Sequence, residues 1–331
     1  MRGLWWVLVA AACDNTAGEA IDASTDGDGS VDATTDVDAS VDAPVASTCT
    51  RCPMPGAVMN RPSVPAALVE ASGIVASRAH PGILYSHNDS GDTARVIAFD
   101  DQGTLVAQLD ITGATATDWE DIAIGPCPTG SCIYVGDIGD NGTSRVTKTV
   151  YRFPEPNLMP GQAPTTIAVS GVEAFPFTYP VGIDRFHNAE TLLVHPTSGE
   201  MYVVTKENVG TPSVVFEFPL PLTPGTSATL TKLATLPFPS GADPDVSGGD
   251  IDPCGSSVLL RVGSVRAYVL LPAVGGGFDT AFTAPGPLAQ IRTVPLANEA
   301  NGEAITWNAT GTGYFTVGEG NNSVLHYVAC P

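Results

Sequence analysis

Apolar residues in this chain come in short runs of three to six, separated by turns rich in Gly, Pro and Ser, and no segment sustains a 3.6-residue apolar period. Five of these runs open on, or follow closely after, a carboxylate. The acids stand in Glu70-Ala-Ser-Gly-Ile74, Glu120-Asp-Ile-Ala-Ile124, Glu190-Thr-Leu-Leu-Val194, Asp250-Ile-Asp-Pro253 and Glu303-Ala-Ile-Thr-Trp307. A turn and a second apolar run follow each: Ile83-Leu-Tyr85, Cys132-Ile-Tyr-Val135, Met201-Tyr-Val-Val204, Ser257-Val-Leu-Leu260 and Tyr314-Phe-Thr-Val317. A unit of short strands returning every roughly 50 to 70 residues is the signature of a β-propeller, one blade per unit. The expected fold is therefore all-β, a propeller of five blades. The long interval between Val135 and Glu190 leaves room for a sixth.

Further runs supply the outer strands. The first blade adds Arg95–Phe99 and Thr104–Leu109, and the second adds Thr149–Phe153 and either Ile167–Val169 or Ala174–Phe177. The third adds Val214–Phe218 and Thr229–Leu233; the fourth adds Ala267–Leu271 and Leu288–Arg292. The fifth has Val324–Val328 and then the chain ends one strand short, so residues between Ala57 and Leu68 are expected to close the ring.

The first 48 residues read differently. Residues 1–13 have a basic start, an apolar stretch Leu4–Val9 too short to span a bilayer, and Ala10-Ala-Ala before Cys13, the pattern of a lipoprotein-type signal with Cys13 as the lipidated residue. The small residue Ala10 stands where such signals favour Leu, and an ordinary cleaved signal is the alternative. Residues 14–48 are Asp, Ala, Ser, Thr and Val in loose repetition, an acidic tether with too little apolar surface to order. Residues 49–331 form the propeller. The expected location is the bacterial cell envelope, anchored to a membrane by the N-terminal lipid, with secretion as the alternative.

Composition narrows the partners. The chain carries 35 acidic and 14 basic residues, a net charge of −21. Nine of the acids lie in the tether, which leaves 26 against 13 basic residues once Arg2 is also set aside. An acidic domain with scattered Lys and Arg lacks the basic stripe that a phosphate backbone requires, so nucleic acid is excluded as a partner and a monomer is expected. Seven cysteines leave an even six after Cys13. Cys127 and Cys132 flank one hairpin turn and are expected to pair; Cys49 or Cys52 with Cys330 would lock the closure of the ring.

Blade geometry turns the repeat into a site. The first strand of each blade lines the central channel, and the loop after the second strand returns to the same face. Those loops include His87-Asn-Asp-Ser-Gly91, Gly136-Asp-Ile-Gly-Asp-Asn141, Lys206-Glu-Asn208 and Gly318-Glu-Gly-Asn-Asn322. Mutual repulsion among acids round one channel is relieved by a hard cation with oxygen ligands, and calcium suits such a set better than zinc. The expected ligands are Glu70, Glu120, Asp137 and Asn141, with His87 or Asp89 moving a proton in any hydrolysis. Asn88, Asp118, Trp119, Asp121, Asp140, Glu190, Glu207, Glu303 and Glu319 complete the ligand-binding face. Tyr85, Tyr134 and Trp119 are candidate stacking platforms, and blade-to-blade packing is the competing role for all three.

The motifs Glu70-Ala-Ser-Gly-Ile74, His87-Asn-Asp-Ser-Gly91, Asp118-Trp-Glu-Asp-Ile-Ala123 and Gly136-Asp-Ile-Gly-Asp-Asn141 resemble those of an uncharacterised family of secreted bacterial propellers. More distantly, the plan is similar to gluconolactonase-type and phytase-esterase-like propellers, a resemblance that implies a divalent metal at the channel mouth and a role for Glu70 in holding it. Three functions follow as expectations: binding of a small-molecule, glycan or protein ligand at the acidic mouth with a calcium-like cation; metal-assisted hydrolysis of a lactone, ester or phosphoester; or a structural part in the envelope. No G-x-S-x-G, H-E-x-x-H or phosphate-cradling glycine loop is present.

Overall fold

The computed structural model describes residues 52–182, 184–207, 211–236, 238, 245–283 and 291–330. Cys13, the tether and Cys49 lie outside the described residues. In chain order the strands are β1 (Val58–Ser63), β2 (Ala71–Ala76), β3 (Ile83–Asn88), β4 (Arg95–Asp100), β5 (Leu105–Ile111), β6 (Trp119–Pro126), β7 (Ser131–Asp137) and β8 (Lys148–Pro154). There follow β9 (Thr165–Val169), β10 (Glu173–Thr178), β11 (Ala189–Val194), β12 (Met201–Thr205), β13 (Val214–Glu217), β14 (Ala228–Thr229) and β15 (Thr231–Thr235). The last are β16 (Val246–Ile251), β17 (Val258–Val262), β18 (Arg266–Leu270), β19 (Ile291–Val294), β20 (Gly302–Trp307), β21 (Gly313–Gly318) and β22 (Val324–Ala329), with one short helix, α1 (Thr280–Thr283), ahead of β19.

These strands make five sheets, with orders β2-β3-β4-β5-β9, β6-β7-β8-β10-β14, β11-β12-β13-β15, β16-β17-β18-β19 and β20-β21-β22-β1. The protein is a five-bladed β-propeller, and the sixth blade is absent. The innermost strands β2, β6, β11, β16 and β20 pack against one another in a closed ring. Closure is as expected: β1 pairs antiparallel with β22, and a Cys52–Cys330 disulfide ties the entering chain to the leaving one. Cys127 and Cys132 are joined across the β6–β7 turn, and Cys254 is also disulfide-bonded.

The long interval after Val135 is absorbed by the first two blades, and of the two alternatives for the outer strand of the second it is Ala174–Phe177 that takes the place. β9 leaves the second blade and pairs in parallel with β5 as a fifth strand of the first, while β10 is the fourth strand of the second blade. The tiny β14 pairs in parallel with β10. Each of the first two blades therefore carries an outer strand from the next segment of chain. In the fourth blade the inner strand β16 begins ahead of Asp250, and the outer strand β19 starts at Ile291.

Both faces of every blade are covered, which explains why the middle strands read as unbroken apolar runs rather than alternating ones. In β7, Ile133 and Val135 enter the core shared with the first blade, and Cys132 and Tyr134 the core shared with the third. In β12, Met201 and Val203 point one way and Tyr202 and Val204 the other. The five apolar clusters are thus the five blade-to-blade interfaces.

Candidate functional site

All five inner strands share one irregularity. Each is bulged at its second residue: Ala71 and Gly73 pair with Asn88 and His87, leaving Ser72 over, and the same count leaves over Glu120, Glu190, Ser247 and Glu303. A bulge re-aims one side chain per strand and recurs beside functional sites. The bulge ring is two serines and three glutamates. Glu120, Glu190 and Glu303 hold it as acids; Glu70 lies two residues ahead of the bulge and is exposed, while Asp250 lies three residues beyond it. The acid spacing in the sequence therefore superposes three different structural positions.

The two serines are turned to the neighbouring strand. Ser72 Oγ donates to the Glu120 carbonyl at 2.7 Å, and Ser247 Oγ donates to the carbonyl oxygens of Gly302 and Glu303 at 3.3 and 3.4 Å. Close approach of the inner strands dictates the next residue too. A Cβ on Gly73 would stand 2.7 Å from the Ile122 nitrogen and 2.9 Å from His87 Nε2; one on Gly248 would stand 2.5 Å from the Glu303 carbonyl oxygen.

Several of the expected site residues are spent on holding the blades. Asp121 is fully enclosed and accepts the N–H groups of Ile122 at 2.8 Å and of Leu192 in the next blade at 2.9 Å. Burial pushes its pKa well up, with those donors opposing. Asp250 does the same between the fourth and fifth blades, accepting Trp307 N–H at 2.9 Å and Arg78 Nη2 at 2.8 Å. Asn88 accepts the N–H groups of Val69 and Glu70 and donates to the Ala67 carbonyl and Asp92. Asp140 accepts from Lys148 Nζ at 3.0 Å and from two backbone N–H groups, and Asp137 accepts from Arg145 at 2.7 Å. Asn141 accepts from Asn188 Nδ2 at 3.1 Å, and Glu207 pairs with His187 at 2.7 Å. Trp119, Tyr85 and Tyr134 are buried in the interfaces, so none is a stacking platform.

His87 is enclosed as well. Its ring is 1 % exposed, stands edge-on to Trp119 at 5.6 Å, and has Nδ1 2.9 Å from the Asn88 carbonyl. Burial pulls its pKa down, so the imidazole is neutral. It lies between the first and second blades.

What remains open at the mouth are two groups of acids. In the first, Asp89 from the end of β3, Asp118 from the start of β6 and Glu120 at the bulge bring carboxylate oxygens within 4.8 Å of one another. Glu120 is 3 % exposed, and among the described residues the one hydrogen bond to its carboxylate is from Ser72 Oγ at a long 3.4 Å. Burial first, and then Glu190, Asp89, Asp118 and Glu303, push its pKa well up; Asp118 is raised by burial and Asp89. Gly139 makes the room, since a Cβ there would run into both the Glu120 and Asp118 carboxylates. This group shares Glu120 with the expected metal set and has Asp89 and Asp118 where that set has Glu70, Asp137 and Asn141. Asp118 could be found from the crowding of Asp118-Trp-Glu-Asp121, and blade geometry returns the loop carrying Asp89 to the same face; which of the acids on that face meet across the first two blades is marked by no local pattern.

In the second group Lys206 Nζ lies 2.5 Å from Glu190, 3.6 Å from Asp245 and 3.9 Å from Glu303. One cation serves three acids. Burial and Glu190 push Glu303 up to about 8, and burial together with Glu303, Asp89 and Glu70 pushes Glu319 up to about 7.

No family model and no curated protein matches the chain. Among solved structures it is similar to the PQQ-bound aldose sugar dehydrogenase of Streptomyces coelicolor, at 13% identity over 83% of this chain and 99% of that one, with a TM-score of 0.45. It is also similar to Kuenenia stuttgartiensis hydrazine synthase, at 13% identity over 77% of this chain and 70% of that one, with a TM-score of 0.37. Neither carries a residue or a reaction over to this chain.

Proposed function

We propose that the channel mouth binds a divalent cation of the calcium type through Asp89, Asp118 and Glu120, and through that cation an oxygen-bearing ligand, as a binding domain of the bacterial cell envelope. The observation that supports it is Glu120: a buried carboxylate facing two others, with no basic side chain on it among the described residues. Arg145 and Lys206, the cations at the mouth, are committed to Asp137 and to Glu190. Calcium sits about 2.3–2.6 Å from its oxygens, so one ion bridges oxygens up to about 5 Å apart, whereas zinc and magnesium, at about 2.0–2.2 Å, would require the cluster to close. Three protein oxygens within 4.8 Å suit the larger ion. They leave three or more coordination positions of the usual six to eight for water and ligand. Carbohydrate hydroxyls and carboxylates are the groups that such an open position takes.

The test is metal content and thermal melting of the full chain in chelator and after calcium is returned. One ion per chain and a melting rise of several degrees are expected, with both lost in Glu120→Gln and Asp118→Asn. A wild-type chain that melts identically with and without calcium contradicts the reading. A hydrolytic role is the second reading, favoured by Glu303, whose pKa burial and Glu190 raise to about 8, the range a general acid needs near neutral pH. Equal lactone and phosphoester hydrolysis by the wild type and Glu303→Gln, at the background rate, excludes it. Lipid anchoring through Cys13 is part of the proposal and predicts that Cys13→Ser releases the chain from the membrane fraction.

A further inference from the structure

Lys206 and Arg145, the cations at the mouth among the described residues, are held in different ways. Lys206 Nζ meets carboxylates, those of Glu190, Asp245 and Glu303. Arg145, from the loop between β7 and β8, meets one carboxylate and one peptide group. Its Nη2 donates to Asp137 Oδ1 at 2.7 Å and its Nη1 to the Gly139 carbonyl at 2.6 Å. Both partners also hold the backbone of Asp118: Asp137 Oδ1 accepts the Asp118 N–H at 3.1 Å, and the Gly139 N–H donates to the Asp118 carbonyl at 3.1 Å. The guanidinium therefore closes a ring of hydrogen bonds that fixes Asp118 from both sides.

The clamped segment is one wall of the cation site. Asp137 pairs across the strands with Trp119 and Gly136 with Asp121, which leaves Glu120 over between them. Gly139 lies against both acids, since a Cβ there would overlap the carboxylates of Glu120 and Asp118. A shift of the Gly139 peptide thus moves Asp118 relative to Glu120. The reach of Arg145 is set in turn by Asp140, whose carboxylate accepts the Ser144 and Arg145 N–H groups at 2.9 and 2.8 Å and Lys148 Nζ at 3.0 Å. Lys148, 1 % exposed, also donates to the Arg145 carbonyl at 3.1 Å, so the loop is braced from within the second blade.

We infer that Arg145 is a positioning residue for the cation site: it holds Asp118 beside Glu120 at the spacing a calcium ion bridges, although its own charge repels that ion. The inference rests on the calcium reading of the mouth proposed above. Charge and placement have opposite signs here, which makes them separable. By Coulomb's law alone, removing a positive charge beside a cation site tightens the site. By placement, losing the clamp frees the Asp118 backbone and weakens it, as loss of the groups that orient metal ligands does elsewhere.

The experiment is calorimetric titration of the full chain with calcium chloride at neutral pH, for the wild type, Arg145→Gln, Arg145→Lys and Lys206→Gln. Arg145→Gln should bind calcium about tenfold more weakly, the lower end of the cost of losing a partner that orients a ligand. Arg145→Lys keeps the charge but not the fork that spans two acceptors, and should also bind more weakly. Lys206→Gln loses the same charge without touching the Asp118 segment, and should bind more tightly. Melting in chelator shows which chains are folded; a residue that served the fold alone would change that melting and leave the affinity of the folded chain where its charge puts it. Should Arg145→Gln not fold, Arg145→Lys carries the test. Binding by the folded Arg145 variant as tight as that of the wild type, or tighter, overturns the positioning role, as does weakening of the same size in Lys206→Gln. A wild type that takes up no calcium overturns the reading beneath it and this inference together, which separates the two failures.

Discussion

Replacing Arg261 with Ala is expected to destabilise the propeller by about 3–5 kcal/mol, the range for removing one partner of a buried ion pair. Arg261, from β17, is completely buried and donates Nη1 to Glu299, Nε to the Gly263 carbonyl at 3.2 Å and Nη2 to the Ser264 carbonyl at 3.2 Å. Glu299 in turn accepts from Thr316 Oγ1 at 2.9 Å and is 2.6 Å from His326 Nδ1. Burial pushes the Glu299 pKa up, but His326 and Arg261 outweigh it and hold the carboxyl below its ordinary value. Without the guanidinium the carboxylate stays buried without its main counter-charge, and two loop carbonyls lose their donor. Gly302 is required by the same group, because a Cβ there would overlap the guanidinium. Arg261→Lys keeps the charge and loses the fork, so it should fall between wild type and Ala. The double variant Arg261→Met, Glu299→Leu should recover only part of the loss, since His326, Thr316 and the loop carbonyls remain unpaired. Urea unfolding of the four proteins measures these losses; a loss below 1 kcal/mol in Arg261→Ala would mean that water replaces the guanidinium.

That network shows where sequence reading stops. The blade count, the closing strand and the Cys127–Cys132 bridge were legible because each rests on a local pattern: an apolar run, a missing last strand, two cysteines around one turn. The acids were legible as a repeat but not in register. A bulge adds one residue to a strand, and nothing in Ala71-Ser-Gly or Val246-Ser-Gly marks Ser72 and Ser247 as the counterparts of Glu120, Glu190 and Glu303. Glu70 and Asp250 took their place in the reading because carboxylates are easier to see than bulged serines. Which acids are spent and which stay open was also hidden. Asp137 and Asp121 look like Asp89 and Asp118 in the sequence, and differ because Arg145, from the loop between β7 and β8, and the Leu192 N–H, from the next blade, come to meet them. Ile167–Val169 and Ala174–Phe177 stand in the sequence as alternatives for the outer strand of the second blade; the structure takes the second, and nothing in the composition of the first distinguishes a strand that extends its own sheet from one that adds to the neighbour.

In chelator the protein should melt at a higher temperature at pH 5.5 than at pH 8.5, opposite to the behaviour of a fold held mainly by ionised carboxylates. Glu303, facing Glu190, Lys206 and Asp245, has its pKa raised from 4.5 to about 8. Between those values the folded chain holds a proton that the unfolded chain has released. Stability from this group is complete below the unfolded value and is lost as pH rises through the folded one, an effect on the order of 4 kcal/mol at most because Glu190 and Lys206 share in the titration. Glu319, raised to about 7, acts in the same direction and more weakly because it is half exposed to solvent. His87 works the other way, since its buried neutral ring costs stability as pH falls below about 6.5. Asp92, Asp140 and Glu299, all held below their ordinary values, lose their contribution only below the ordinary carboxylate range. The optimum therefore lies in the mildly acidic range. Glu303→Gln, which keeps a neutral group of the same shape, should remove most of the slope between pH 5.5 and 8.5. Calcium should act most at the alkaline end, where the mouth is fully ionised and protons no longer compete with the metal, and so should flatten the melting profile from that side. A chelated wild type that melts higher at pH 8.5 than at pH 5.5 would mean that Lys206 already balances the mouth, leaving no charge for a cation to relieve.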